Sequence, residues 1–84
     1  VTRLELSDHH RQELTPSHKL VLLILRESDR PIDLGEIADR TQLPKGTVRR
    51  RCRELIEHDL VSKQPSFRDA RVTMFRANPP DPSP

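Results

Sequence analysis

Gly35 to Val61 reads GEIADRTQLPKGTVRRRCRELIEHDLV. It holds two amphipathic patterns parted by a short turn, Thr41-Gln42-Leu43-Pro44. In the first, Leu34, Ile37 and Ala38 give a short helix its inward face. Asp33 followed by Glu36 is a capping-box-like opening for it. In the second, Val48, Cys52, Leu55 and Ile56 recur at helical spacing, which predicts a helix from Pro44 or Lys45 to His58. Five basic side chains (Lys45, Arg49, Arg50, Arg51, Arg53) and no acid lie between Pro44 and Arg53.

The angular order of this second pattern separates neighbouring arginines. With Val48 at zero and about 100° per residue, Cys52 and Leu55 fall within about 40° of it, and Ile56 at about 80°. Gly46, Arg49, Arg50 and Arg53 gather on the far side, between roughly 100° and 200°. Arg51 sits at the flank, where it can reach a phosphate or lie over the edge of the core. The chain has 15 Lys and Arg and 13 Asp and Glu, so outside this run the acids outnumber the bases. The positive charge is therefore concentrated on one helix face, and this points to an anionic partner.

A helix of this kind fits the major groove of B-DNA, with its N-terminal residues at the base edges. Small Gly46 and Thr47 permit close approach. Arg49 and Arg50 are long enough to give a guanine two hydrogen bonds, worth about 1–3 kcal/mol of discrimination each. Arg53, a turn deeper, suits a backbone phosphate, as do Lys45 and Arg51. Thr47 suits a phosphate or a thymine methyl. The N–H groups that open helices two and three suit phosphate too. A basic helix face is more often simply solvated. Here the preceding helix and turn, the absence of acids before Glu54, and Arg68 and Arg71 at the tip of a following hairpin favour DNA.

Working outward, Thr15-Pro16 is a good opening for a first helix, followed by the apolar run Leu20 to Leu25 and closed before Pro31. Asp59 suits a left-handed helix end. Leu60 to Gln64 and Arg71 to Ala77 read as strands joined by the loop Pro65 to Ala70. The expected fold is α+β, mainly α: three helices plus a C-terminal two-stranded β-hairpin. Residues 1–14 are expected to be an N-terminal arm and residues 15–77 the domain. Residues 78–84, NPPDPSP, are expected to be a disordered Pro-rich tail or linker.

Composition excludes several classes. At 84 residues the chain is one domain. A single cysteine rules out an internal disulfide and a cysteine-rich zinc site. The longest apolar run has six residues, far short of the roughly 20 that span a bilayer, and from the charges of VTRLELSDHH no signal peptide is expected. A soluble, cytoplasmic protein with no membrane partner is expected. His9 and His10 with Glu13 could make a surface metal site, but solvated side chains are the commoner case. His18 is expected at the surface, and His58 near the negative end of helix three. Cys52 is expected to be a small core hydrophobe rather than a redox sensor. No catalytic set emerges, and Gly35 and Gly46 are the only glycines, so no phosphate-cradling loop exists. No enzyme activity, cofactor or metal is expected.

The stretch from Gly35 to Val61 resembles the winged helix-turn-helix domains of transcription regulators of the MarR, IclR and TrmB kinds. The matching residues are Leu43, Pro44, Thr47, Val48, Glu54, Leu55, Leu60 and Val61. Asp59 stands where a Gly is usual, Cys52 where a Leu is usual, and the wing is shortened to Phe67-Arg68-Asp69-Ala70-Arg71. The resemblance covers residues 15–77 and implies a DNA-binding transcription regulator. Helix three would lie in the major groove of double-stranded DNA and the wing on the adjacent minor groove or backbone. It also implies a homodimer, which would use residues 1–14, the outer face of helix one, or the wing strand. The alternative is a winged-helix protein–protein interaction module in a larger assembly, its Arg face meeting carboxylates.

Overall fold

The computed structural model describes residues 14–79. Helix α1 (Pro16–Glu27) opens as its sequence dictates. Thr15 is the N-cap: its Oγ1 accepts the His18 backbone N–H, and its own N–H donates to His18 Nδ1 at 2.9 Å. Val21, Leu22 and Leu25 are buried, whereas Leu20 is 36% exposed. The six-residue apolar run is thus sorted by helical spacing, and only part of it reaches the core.

A strand that the sequence reading lacks comes next. Strand β1 (Ile32–Asp33) follows Pro31 and pairs antiparallel with a strand 40 residues further on, Ile32 opposite Phe75. Its carboxyl end doubles as the start of helix α2 (Leu34–Thr41), where Asp33 caps the Glu36 N–H at 2.8 Å. The Glu36 carboxylate is taken by Arg30 and Arg40, at 3.2 and 2.8 Å. Gln42 then turns the chain in the left-handed region, φ 62°.

Helix α3 (Lys45–Glu57) starts at Pro44 and ends within a residue of the expected limit. Asp59 adopts φ 61°. Leu60 N–H reaches Leu55 O and Asp59 N–H reaches Ile56 O, both at 3.0 Å. This paired closure satisfies the Leu55 and Ile56 carbonyls and sends the chain into the sheet.

Strands β2 (Val61–Pro65) and β3 (Thr73–Ala77) form the expected hairpin, Val61 opposite Ala77 and Pro65 opposite Thr73. With β1 they make a three-stranded antiparallel sheet in the order β1-β3-β2, so the expected two-stranded wing hairpin gains a third strand beside it. Pro65 lies on the edge strand, where its missing N–H is tolerated. The expected tail boundary also moves. Asn78 donates its N–H to Leu60 O at 2.9 Å and its Nδ2 to Asp59 O at 2.7 Å, so it closes the domain. The arm, with His9, His10 and Glu13, and the tail from residue 80 onward lie outside the described residues.

The core joins Leu22 and Leu25 of α1, Ile37 of α2, Val48, Cys52 and Leu55 of α3, and Ile32, Val61 and Phe75 of the sheet. Leu43 of the turn packs against it. With its buried face held by α1, α2 and the sheet, α3 can turn only one side outward.

Candidate nucleic-acid interface

The outward side of α3 carries the charge. Lys45, Gly46, Arg49, Arg50 and Arg53 are exposed, Thr47 is half-buried, and Val48, Cys52 and Leu55 are fully enclosed. The wheel therefore sorts these residues correctly, and the structure divides them further. Lys45, Arg49 and Arg53, four residues apart, line one side of an open hollow of about 670 Å³. Lys63 of β2 and Thr73 and Phe75 of β3 line the other, with Gly35 at the start of α2 between them. Asp33 and Glu57 are its two acids. Arg50 and Gly46 do not border the hollow.

Lys63 has no part in the site read from sequence. Alternation along β2 puts it on the same side as Val61, but its place beside the arginines depends on how α3 packs over the sheet. That relation is long-range, so no local pattern carries it.

Of the two places its flank position offered, a phosphate or the edge of the core, Arg51 takes the second in the folded chain. Its side chain is only 20% exposed. Nε donates to Ser17 Oγ at 2.9 Å, and a terminal nitrogen pairs with Glu54 Oε1 at 2.7 Å. His18 departs from expectation: it is 4% exposed rather than a surface residue, and its Nε2 meets the same Glu54 oxygen at 2.7 Å. The Arg51 hydrogen bond, helped by the bond to His18, holds the Glu54 carboxyl below its ordinary value. Cys52 is fully buried, and desolvation pushes its thiol up to about 12, so it stays protonated and inert.

The helix starts differ too. No side chain caps α3 at Pro44, so its first-turn N–H donors have no side-chain acceptor. At α2 the Asp33 carboxylate already fills that role. Of the two helix openings read as phosphate sites, only the α3 opening keeps its donors free of a capping side chain.

In the wing, Arg68 and Arg71 lie in the loop between β2 and β3, and Arg71 has a side chain 91% exposed. Asp69 grips Arg71 through three hydrogen bonds, from the backbone N–H and from two guanidinium nitrogens, at 3.0–3.2 Å. Those bonds hold the Asp69 carboxyl below its usual range. Among the described residues no group of three or more His, Cys, Asp or Glu could hold a metal ion, and no helix is long and apolar enough to cross a membrane.

The chain is similar in fold to several solved structures. They include YusO of Bacillus subtilis (23% identity, TM-score 0.75), which covers 83% of this chain and is itself covered to 49%. BpsR of Bordetella bronchiseptica, whose DNA binding is regulated by 6-hydroxynicotinic acid, matches at 23% identity and TM-score 0.76, with 82% and 49% coverage. The PcaV transcriptional regulator of Streptomyces coelicolor matches at 22% and 0.74, with 80% and 47% coverage. The chain thus spans about half the length of these proteins. No curated protein sequence matches it. The family profile of the IclR helix-turn-helix domain matches residues 20–65, more than half of the chain. By its helix-turn-helix, its wing and that match, the chain belongs to the IclR helix-turn-helix domain family.

Proposed function

We propose that this chain is the duplex-DNA-reading domain of a transcription regulator, with α3 in the major groove and the wing on the adjacent minor groove or backbone. The observation that carries this reading is the division of the α3 cations. Lys45, Arg49 and Arg53 line a hollow shared with Lys63, while Gly46 and Arg50 stand clear of it on the outward side. A hollow between a helix and a wing, edged by four cations, suits the sugar-phosphate strand that runs between the two grooves. Arg50 is then the base-reading arginine, and Arg49 moves from base reading to phosphate binding with Lys45 and Arg53. Thr47 and the uncapped opening of α3 add phosphate contacts. Arg71, steadied by Asp69, and Arg68 act from the wing. Arg51 serves the fold.

Such a domain would act as a homodimer in the cytoplasm, each copy reading one half-site. Selection from a random duplex pool tests both parts. Recovery of a shared sequence supports DNA reading, and a palindrome with half-sites about 10–10.5 bp apart, or a multiple of that, supports the dimer. A pool that stays random after repeated rounds contradicts sequence-specific reading.

A further inference from the structure

The wing loop, residues 66–72, is tied into one shape by its own hydrogen bonds. Ser66 N–H donates to Val72 O and Val72 N–H to Asp69 O, both at 2.9 Å. Arg68 N–H donates to Ser66 Oγ at 3.1 Å, and Arg71 N–H to Asp69 Oδ1 at 3.0 Å. At the tip of this braced loop Phe67 is 102% exposed, whereas the chain's other phenylalanine, Phe75, is 8% exposed in the core. Phe67 stands at the border of an open hollow it shares with Val72 and Met74, but the ring is not covered there and stays in water. Arg68 and Arg71, on either side of Asp69, are exposed as well. A large ring held in water on a braced loop is the feature of this domain that core packing leaves without a purpose.

We propose that Phe67 is an apolar wedge that enters duplex DNA from the minor groove, parts two stacked base pairs and kinks the duplex. The inference rests on the DNA-binding reading above. A partner for this tip must offer a flat apolar surface with anions close on both sides, because Phe67 comes with two guanidinium groups. Stacked bases between two phosphate strands supply both, and the phosphates keep Arg68 and Arg71 paired as the ring is buried. An apolar protein groove would leave the Arg68 charge to be desolvated without a partner, Arg71 having only Asp69. The bracing makes the insertion cheap in entropy: the loop is already ordered, and Phe has only two side-chain torsions to fix. Apolar side chains inserted in this way kink duplexes by about 20–90°.

The test uses a duplex that the full chain selects from a random pool, carrying 2-aminopurine at one position at a time and a dye at each end. Binding of the wild-type chain is expected to raise the 2-aminopurine emission at one base step and to shorten the distance between the dyes. Phe67→Ala should still bind, roughly ten- to hundredfold more weakly, with both signals lost, and Phe67→Leu should keep much of each. A Phe67→Ala chain that binds with the same emission and the same bend overturns the wedge. So does a variant that alters only self-association in sedimentation, since the ring then serves a protein contact. A wild-type chain that binds DNA without unstacking it overturns the wedge alone, and one that binds no duplex overturns the DNA reading and the wedge with it.

Discussion

His18 Nε2 and Glu54 Oε1 lie 2.7 Å apart, joining the first turn of α1 to the C-terminal half of α3 across 36 residues of sequence. Because Thr15 N–H donates to Nδ1, the His18 ring carries its proton on Nε2, toward Glu54. Arg51 completes the bridge by holding both Glu54 and Ser17. The roll of α3 decides which arginines face outward, and this bridge opposes its rotation.

Replacement of His18 by Ala removes the capping partner of Thr15 and the α1 end of the bridge. Chemical denaturation is expected to show a loss of about 1–3 kcal/mol. An unchanged midpoint would mean that the bridge contributes nothing to the packing of α1 on α3.

The Glu54 interaction also carries a pH signature. Its carboxyl is held below the ordinary value in the folded chain, first by Arg51. The stabilisation is therefore present above the unfolded value of about 4.3 and is lost as pH falls through the lower folded value. Glu54→Gln should be less stable than wild type at pH 6, and the gap should shrink as pH falls below the unfolded value and close once the folded carboxyl is protonated. Denaturant midpoints across this range check it; a gap independent of pH contradicts it.

These contacts mark the limit of what the sequence reveals. The three helices, the left-handed Asp59 and the hairpin follow from local periodicity and turn chemistry, and they were legible. Strand β1 was not, because two residues after Pro31 have no period of their own and become a strand by pairing with β3. His18 looked like a surface residue because its partner sits in another helix. Arg51 fell at the flank of the wheel, and only the packing of α1 decides that it turns to Ser17. For the same reason Lys63 went unread: a strand cation joins a helix's cations only once the two are packed together.

Gly46 separates fold from function. A Cβ built there meets no atom within 4 Å, so the domain itself does not require glycine. Gly46→Ala should stabilise the fold by about 0.5–1 kcal/mol through helix propensity. It should at the same time weaken DNA binding, because the added methyl stands between helix and groove. Thermal melts and a binding titration read the two effects; stability gained with affinity unchanged would refute close approach at Gly46.

Cys52 should behave as core. Fully buried and with its thiol pushed up to about 12, it is expected to resist an aromatic disulfide reagent at pH 8 in the native chain and to react at once in denaturant. Prompt reaction without denaturant would show that the α3 core opens readily.

The division of work among the α3 arginines is tested most directly by salt-dependent binding of wild type, Arg50→Ala, Arg53→Ala and Arg51→Ala to a selected duplex and to random duplex. Arg50→Ala should cost about 1–3 kcal/mol on the selected site and relax base preference. Arg53→Ala should weaken both duplexes alike and reduce the log–log salt slope by about one. Arg51→Ala should leave the slope unchanged while lowering stability. Equal losses from Arg51→Ala and Arg50→Ala, or no loss from Arg50→Ala and Arg53→Ala, would contradict the account.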